Sequence, residues 1–273
     1  MDAPDQFTAV QPTGALVTAE SVASAELPAR RTDASKTFSA STASTPGQMV
    51  SQAYSGPIHF RGADGVMHDI DRTLVTAGPG RFATRSTAIG VDFAARPDDP
   101  SLAVVTFDAG HSVGFGLSGA ASGMAASPET LSNTAPSIVH RSILPGVNLE
   151  LSTGSTGLKE TLVLASPATA ETFLFPLQLK GLTAVVDPST GDVLYRDSDG
   201  TARGRTPRGF MVDSKIDPRS GDPSRSDAVT YVIVPSGVGQ ALKVSLDRAW
   251  LAGPCPALSG LGRPLCWSGI LGR

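Results

Sequence analysis

The sequence predicts an all-β fold of antiparallel strands, arranged as one large β-sandwich or as two consecutive sandwich units behind a mostly disordered N-terminal leader. Three observations support this prediction. Short runs of alternating apolar and polar residues recur along the chain, with turn residues between them. The chain contains 29 glycines and 21 prolines in 273 residues, which indicates many turns and few long helices. Its polar positions are mostly Ser, Thr, Gly, Asp and Pro, whereas helix surfaces are usually rich in Glu, Lys and Arg.

Residues 1–50 are predicted to form a flexible leader. They are rich in Ala, Ser, Thr, Pro and Gln, and their only aromatic residues are Phe7 and Phe38. Such a segment buries too little apolar area to offset the entropy lost on ordering. Within it, residues 15–26 are the one candidate for a short helix.

The β-sandwich region is predicted to span residues 51–250, with a subdivision near 125–135. Alternating residues on both sides of Asp64-Gly65 predict a hairpin, because Asp-Gly favours a tight turn. The run at 102–107 is continuously apolar and is expected to be buried on both faces. Residues 204–227 are polar and are expected to form a long excursion. Further strands are predicted near 89–93, 113–117, 138–143, 147–151, 158–164, 173–177, 185–186, 193–195, 229–233 and 242–246.

Residues 251–273 differ from the rest in composition. They contain both cysteines, Cys255 and Cys266, and no Asp or Glu. The absence of a two-residue period predicts an irregular tail. Its composition suggests the hypothesis that it is not native domain sequence, arising from a change of translation frame or a truncation. Whether the two cysteines pair stays open.

The charge balance argues against a nucleic acid partner. The net charge is −3 and no run of Lys or Arg occurs. Because phosphate binding depends on counterion release at basic surfaces, we expect no nucleic acid partner. No apolar stretch reaches the roughly 20 residues that span a bilayer. The first residues, Met1 to Pro4, lack the features of a signal peptide, so we expect either no export or a chain that starts downstream of its true beginning.

Metal sites are disfavoured by the spacing of the candidate ligands. The four histidines are not spaced as compact metal motifs, although His59 and His68 could meet across the Asp64-Gly65 hairpin. Calcium is the one cofactor considered, because 187–192 and 197–199 offer several Asp oxygens. Asp is also the ordinary residue for starting a turn, so no cofactor is predicted. The histidines are His59, His68, His111 and His140.

Catalytic chemistry has little support in the sequence. A glycosidase would need two facing carboxylates, and the first pair to compare is Asp71 with Glu160. No G-x-S-x-G element or glycine-rich phosphate loop occurs. We therefore predict no catalytic, cofactor-binding or metal-binding residue, and the ligand-binding residues stay undefined. The carboxylates considered are Asp69, Asp71, Glu150 and Glu160.

Aromatic residues offer few platforms for sugar binding. Aromatic rings make up 5% of the chain, and a sugar-binding sandwich usually presents exposed rings. Each candidate is expected to lie in the core or at a sheet edge. The candidates are Tyr54, Tyr195, Tyr231 and Trp250.

Three motifs carry a family resemblance over roughly residues 50–250. Residues 57–74 contain PIHFR, then DG, then DIDRTL; residues 143–164 contain ILPGVNL, GLKE and LVL; residues 173–182 contain FLFPL and GL. These resemble the N-terminal β-rich region of large secreted bacterial proteins with RHS/YD repeats or DNRLRE domains. Met67 and His68 replace the aromatic of that pattern, and the sequence departs from it after Leu251.

The resemblance implies a secreted or cell-wall-associated protein. Our prediction is a non-catalytic structural or surface-display module, serving cell-surface architecture, adhesion or a toxin-associated scaffold. The expected partners are downstream domains of a larger polypeptide or cell-wall glycan. Two alternatives are a carbohydrate-binding sandwich and a polysaccharide-active enzyme.

Overall fold

The structure is a computed structural model that describes residues 38–42, 49–53, 56–131, 135–166, 169–216, 219–237, 239–252 and 265–272. The chain divides into two compact units, residues 1–58 and 59–273. The regular secondary structure of the described residues is almost entirely β-strand, so the predicted all-β class is confirmed. The predicted helix at 15–26 lies outside the described residues.

The first unit contains a two-stranded antiparallel sheet. Strand β1 (Phe38–Thr42) pairs with β2 (Met49–Ala53), with Phe38 opposite Ala53. Strand β1 and the first two residues of β2 therefore lie within the leader predicted over 1–50. Pairing satisfies the backbone donors and acceptors of both segments, and Phe, Val and Thr suit extended backbone.

The second unit begins with a small hairpin and an eight-stranded sheet, which we call sheet A. The hairpin pairs β3 (His59–Arg61) with β4 (Met67–Asp69) around the predicted turn, where Gly65 has a φ of 76°. Sheet A has the strand order β20-β21-β14-β9-β8-β7-β6-β5. Its strands are β5 (Asp71–Gly78), β6 (Arg81–Ser86), β7 (Gly90–Ala94), β8 (Ala103–Thr106), β9 (Ser112–Phe115), β14 (Thr172–Lys180), β20 (Val229–Ser236) and β21 (Gly239–Leu246).

A ten-stranded sheet, which we call sheet B, completes the second unit. Its main path runs β10-β11-β12-β13-β22-β17-β16-β15, and β18 pairs with both β19 and β22. A short helix, α1 (Arg248–Leu251), follows sheet A's last strand. The strands of sheet B are β10 (Glu129–Thr130), β11 (Pro136–Leu144), β12 (Val147–Thr153), β13 (Gly157–Leu164), β15 (Thr183–Val186), β16 (Val193–Arg196), β17 (Ala202–Thr206), β18 (Phe210–Ile216), β19 (Pro223–Ser226) and β22 (Leu265–Gly272).

The two sheets share one hydrophobic core. Phe93 and Phe173 from sheet A and Ile138 and Leu149 from sheet B are at most 2% exposed and belong to one buried cluster. The chain passes from one sheet to the other several times, so the sheets form two layers around this core rather than two consecutive sandwiches. Burial of this apolar surface is the main source of folding free energy.

Several predicted boundaries are wrong. The expected excursion at 204–227 contains parts or all of β17, β18 and β19, and the expected irregular tail contains β22. The run at 102–107 alternates instead of being buried on both faces, because Val105 is fully buried while Thr106 is exposed. For β22 the partners β13, β17 and β18 are distant in sequence, so local sequence preference did not indicate the strand.

Candidate functional site

An open hollow lies between the β3–β4 hairpin and the β6–β7 connection of sheet A. Its volume is about 540 Å³, within the range of small-ligand sites. Its lining combines an aromatic ring, an imidazole, a carboxylate, a guanidinium and several hydroxyls. We call it the hairpin hollow, and its lining residues are Phe60, Gly62, Ala63, Asp64, His68, Thr84, Arg85, Ser86, Thr87 and Gly90.

His68 and Asp64 form a fixed pair in the hairpin hollow. The Nε2 atom of His68 lies 3.1 Å from Oδ1 and 2.9 Å from Oδ2 of Asp64. Both side chains stay accessible, at 42% and 54% exposure. The Asp64 carboxylate also accepts a hydrogen bond from the Val66 backbone N–H, and these two bonds, the Val66 bond first, lower the pKa of Asp64. The carboxylate therefore stays ionised and orients the imidazole.

Gly62 allows the His68–Asp64 pair to pack against the backbone. A Cβ atom at position 62 would lie 2.6 Å from Asp64 Oδ1 and 2.8 Å from His68 Nε2. Any larger residue would have to push the pair apart. The residues of the β3–β4 hairpin alone therefore fix the position of the His68 imidazole.

Arg85 brings positive charge to the same hollow. Its guanidinium donates to Oδ2 of Asp71 at 2.7 Å and remains 56% exposed. Hydrogen bonds from Thr73, followed by the contact with Arg85, lower the pKa of Asp71. The hydroxyl groups of Thr84 and Thr87, which also line the hollow, hydrogen-bond each other at 2.8 Å.

The hairpin hollow can hold an anion and move a proton. A histidine that a carboxylate orients is a common general acid–base arrangement, and a guanidinium binds phosphate or carboxylate through several N–H donors. The rings of Phe60 and His68 lie with centroids 5.6 Å apart and tilted by 34°. Apart from these contacts, no further hydrogen bond reaches the His68 ring within the described residues.

His59 and His68, which the sequence allowed to meet across the hairpin, do not pair. His59 instead lies opposite Asp69 across the hairpin, with its Nε2 atom 3.1 Å from Asp69 Oδ1, whereas His68 lies opposite Phe60. Adjacent positions on a strand point to opposite faces, so His59 and His68 are separated. His111 contacts Asp108 at 2.8 Å. In the described part of the chain, no three His, Cys, Asp or Glu side chains come together as a metal site.

Asp71 and Glu160 do not form a glycosidase pair. Asp71 lies at the edge strand of sheet A and is held by Arg85, whereas Glu160 lies on β13 within sheet B. Glu150 is half-buried, and burial raises its pKa against the opposing charge of Lys159. Asp69 contacts His59. None of these carboxylates faces another across an open cleft in the described region.

Glu160 instead belongs to a buried cluster with two tyrosines, which we call the acid–phenol cluster: Glu160, Tyr195, Thr206 and Tyr231. Glu160 is half-buried as a residue, but its Oε1 atom is screened from solvent and has no hydrogen-bond partner among the described residues. Burial raises its pKa to about 8. The Tyr195 hydroxyl lies 3.1 Å from Thr206 Oγ1. Burial first, and then the charge of Glu160, raise the pKa of both phenols.

The aromatic candidates therefore do not form a sugar platform. Tyr195 and Tyr231 are 2% and 6% exposed, and Trp250 is half-buried against the core. Both tyrosines thus have the core position expected from the sequence. Tyr54 lies outside the described residues.

The aspartate clusters considered for calcium are engaged in turns and ion pairs. Asp187 accepts hydrogen bonds from the Ser189 N–H at 2.8 Å and its hydroxyl at 2.6 Å. Asp197 accepts from Arg203 Nε at 2.6 Å and from the Thr201 N–H at 2.9 Å. Asp192 accepts the Arg208 N–H at 2.9 Å. These three carboxylates therefore form hydrogen bonds within turns or contact a nearby arginine, as is common for Asp in turns.

His140 is a buried histidine on β11 of sheet B. It is 2% exposed, and neither ring nitrogen has a hydrogen-bond partner of normal geometry within the described residues. Burial lowers its pKa to about 4, opposed by the backbone of Ala94. His140 ends a run of four consecutive buried residues in β11 that begins at Ser137. The sequence pattern did not single out this position.

Comparison with known proteins finds bacterial relatives for part of the chain. It is 33% identical over 117 residues to the tRNA nuclease WapA of Bacillus subtilis (strain 168). The same figures hold for the tRNA(Glu)-specific nuclease WapA of Bacillus subtilis subsp. natto, and the identity is 32% for the tRNA3(Ser)-specific nuclease WapA of Bacillus spizizenii. The match covers 43% of this chain and 5% of each relative. No family model and no solved structure matches the chain.

These relatives overturn three sequence-based predictions. The chain was predicted to be a non-catalytic module, not to be an enzyme and to have no nucleic acid partner. All three relatives are named as nucleases that act on tRNA. The argument from net charge failed because it averages over the whole chain, whereas a nuclease requires only local groups and can bind RNA through another part of a long polypeptide.

Among the described residues, none of the helical segments has the length and hydropathy of a membrane span.

Proposed function

We propose that this chain works as part of a toxin-associated tRNA nuclease. The observation that carries the proposal is its match to three proteins that are all named tRNA nucleases. Two of these relatives differ in the tRNA that their names specify, yet the identity is 33% for one and 32% for the other. The shared segment is therefore expected to serve a role common to both rather than the choice of tRNA. The motif resemblance to large secreted bacterial proteins supports a secreted or cell-wall-associated polypeptide.

The hairpin hollow is the described surface that best fits contact with RNA. RNA is bound through stacking of its bases on aromatic rings, imidazoles or guanidinium planes, and through contacts to phosphate. Phe60 and His68 offer the rings, and the 56% exposed Arg85 offers the charge. Thr84, Ser86 and Thr87 add hydroxyls that can bind a ribose or a phosphate oxygen.

The His68–Asp64 pair is suited to the chemistry of RNA cleavage. In this role His68 removes the proton of a ribose 2′-hydroxyl, whose oxygen then attacks the adjacent phosphorus. The bond to the 5′ oxygen breaks, and the imidazolium returns its proton to that oxygen, leaving a 2′,3′-cyclic phosphate. Asp64 stabilises the imidazolium, and Arg85 faces the charge that develops on the phosphate.

Binding and cleavage of bulk tRNA by the purified chain test this proposal. Filter retention measures binding, and a denaturing gel measures cleavage. We expect Arg85→Gln to weaken binding by about tenfold to a hundredfold, since a charge-assisted contact contributes about 1.5–3 kcal/mol. We expect His68→Gln to abolish cleavage while binding persists, because the amide cannot transfer the proton.

The matched control is Arg141→Gln. Arg141 is also exposed, at 67%, and pairs with a carboxylate, Glu129, at 3.1 Å, but it lies on sheet B away from the hollow. It should leave binding and cleavage unchanged. Absence of tRNA binding in the unmodified chain, or equal losses in the two arginine variants, would contradict a role for the hairpin hollow.

A further inference from the structure

A row of directly opposed residues crosses four strands of sheet A and begins at the hairpin hollow. Gly90 of β7, which lines the hollow, lies opposite Thr106 of β8. Ser112 of β9 lies between Thr106 and Lys180 of β14 and is opposite both. Because neighbouring strands lie about 4.8 Å apart, this row extends about 14 Å from the hollow. We call these residues the β7–β14 row: Gly90, Thr106, Ser112 and Lys180.

The β7–β14 row lies on the face of sheet A that points away from the core. Successive residues of a strand point to opposite faces, and the neighbours of the row within β7, β8 and β9 are buried valines of the core. The row itself is exposed, apart from the half-buried Ser112. The buried neighbours are Val91, Val105 and Val113.

The middle of the row is a low floor with polar groups. Gly90 has no side chain, and Thr106 and Ser112 have short side chains that end in hydroxyl groups. Hydroxyl groups both donate and accept hydrogen bonds. The floor therefore leaves space for an extended polar chain and offers hydrogen bonds to its ribose or phosphate oxygens.

Lys180 supplies positive charge at the far end of the row. Its Nζ atom donates to the Ala109 carbonyl oxygen, in the turn between β8 and β9, at 2.8 Å. An ammonium group has three donors, so two remain for a ligand. No ion pair between Lys180 and a carboxylate occurs among the described residues, so its charge is available to an anion.

Two carboxylates near the row are already paired. Asp108, in the turn between β8 and β9, binds Nδ1 of His111 through Oδ1 at 2.8 Å. Asp92, on the same strand as the start of the row, binds the guanidinium of Arg81. The charge of each carboxylate is therefore offset locally, which favours the approach of an anionic chain to the row.

We propose that the β7–β14 row extends the hairpin hollow into a binding site for a single-stranded segment of RNA. An unstacked base contacts Phe60 and His68 in the hollow, and the RNA backbone crosses β7, β8 and β9 to place a phosphate at Lys180. A duplex does not supply such a base, because its bases are paired and stacked. This inference rests on the tRNA nuclease proposal and adds the form of RNA and the extent of its site, about four nucleotides or more.

Binding of a 2′-O-methyl oligouridylate octanucleotide to the full chain tests the proposal. The methyl group blocks the hydroxyl that cleavage requires, so fluorescence anisotropy measures binding alone. We expect Lys180→Gln to weaken binding about tenfold. It should also reduce the slope of log affinity against log salt concentration by about 0.7, the value for one phosphate contact to a single strand. Lys180→Arg should preserve both, whereas a purely structural role of Lys180 would leave the salt slope unchanged.

Lys243→Gln is the matched control. Lys243 is exposed on β21 and lies opposite Leu174 of β14, on the same face of sheet A as Lys180. The six residues that separate Leu174 from Lys180 along β14 correspond to about 20 Å. Lys243→Gln should leave affinity and salt slope unchanged.

A shorter probe tests the extent of the site. A 2′-O-methyl uridine dinucleotide with one phosphate cannot contact Arg85 and Lys180 together. We expect Arg85→Gln to weaken its binding and Lys180→Gln to leave it unchanged, because the base occupies the hollow. Equal sensitivity of both probes to Lys180→Gln would contradict a site that runs from the hollow to Lys180.

Thr106→Glu tests the middle of the row. The added carboxylate is expected to weaken octanucleotide binding roughly tenfold, because it repels the RNA backbone. Thr230→Glu adds the same charge at an exposed position of β20, which is separated from β8 by β21, β14 and β9. It should have little effect, and equal losses in the two variants would contradict the proposed path.

The outcomes separate this inference from the tRNA nuclease proposal. If Arg85→Gln weakens binding while Lys180→Gln acts no more strongly than Lys243→Gln, the row is excluded and the hollow remains. Displacement of the octanucleotide by double-stranded RNA as readily as by single-stranded RNA would also overturn the row. If the unmodified chain binds neither probe nor tRNA, both proposals are wrong.

Discussion

The side-chain amide of Gln240 hydrogen-bonds both backbone groups of Ala184. Gln240 Oε1 accepts the Ala184 N–H at 2.9 Å, and Gln240 Nε2 donates to the Ala184 carbonyl at 2.9 Å. Gln240 lies on β21 of sheet A, and Ala184 lies on β15, at the end of sheet B's strand order. The glutamine thus takes the place of a neighbouring strand and ties the two layers together.

Gln240→Ala is expected to lower the free energy of unfolding by about 1–3 kcal/mol, because it leaves two buried backbone groups without partners. Chemical denaturation measures this loss. Gln178→Ala is the control, since Gln178 is exposed on β14 of the same sheet. If both variants are equally stable, the inter-sheet contact contributes nothing.

Gly204→Ala is expected to destabilise the protein through contact between the layers. A Cβ at position 204 of β17 would lie 2.2 Å from Cζ of Phe107, which follows β8 in sheet A. Overpacking of this kind costs about 1–3 kcal/mol, measurable as a shift of the denaturation midpoint. Gly90→Ala is the control, because its nearest contact, Thr106 Cβ at 3.5 Å, is ordinary.

A second substitution separates steric contact from backbone effects at position 204. Adding Phe107→Leu to Gly204→Ala removes the ring that the new methyl group meets. We expect the double variant to lose less than the sum of the two single losses. Strict additivity would show that the ring is not the cause.

Glu160 is expected to make the protein less stable as the pH rises. Burial raises its pKa from 4.5 to about 8, so the folded chain keeps a proton that the unfolded chain loses within this interval. The free energy of unfolding therefore falls as the pH rises from about 4.5 to 8, and the loss persists at higher pH. Its size is on the order of 3–5 kcal/mol.

Glu160→Gln should remove this pH dependence, since the amide cannot ionise. The measurement is the free energy of unfolding at several pH values between 5 and about 9. Glu171→Gln is the control, because the Glu171 side chain is 48% exposed. A slope that survives in Glu160→Gln would place its origin in another group.

His140 is expected to contribute to the loss of folding stability at acidic pH. Burial lowers its pKa from 6.5 to about 4, so between these values the unfolded chain binds a proton that the folded chain does not. The free energy of unfolding therefore falls as the pH drops from 6.5 to 4, by about 3 kcal/mol at most.

His140→Leu should flatten this acid limb and raise stability near pH 5, because it also removes two buried nitrogens without partners. His140→Gln is the matched control for charge: it should flatten the limb without the gain in stability. Thermal denaturation from about pH 4 to 7 provides the measurement. An unchanged acid limb in both variants would exclude His140 as its cause.

Local patterns were sufficient for much of the fold. Alternation around Asp64-Gly65 and in 147–164 predicts strands that the structure confirms as β3, β4, β12 and β13. The same patterns missed β18, β19 and β22, whose pairing partners are distant or whose sequence lacks a clear period. The sequence indicates the candidate site only in part: it allows His68 to meet His59 across the hairpin and does not reveal a contact between His68 and Asp64. Asp64, the actual partner, was noted only as a turn residue.

The sequence by itself determined the all-β class and most strand positions, because alternation and turn chemistry act over a few neighbouring residues. Only the tertiary structure decided which side chains meet. It brings Glu160 together with Tyr195 and Tyr231, places Arg85 beside the His68–Asp64 pair, and inserts β22 between β13 and β18. The physical reason is that these contacts depend on strand order and register, which are fixed by packing of both sheets around one core.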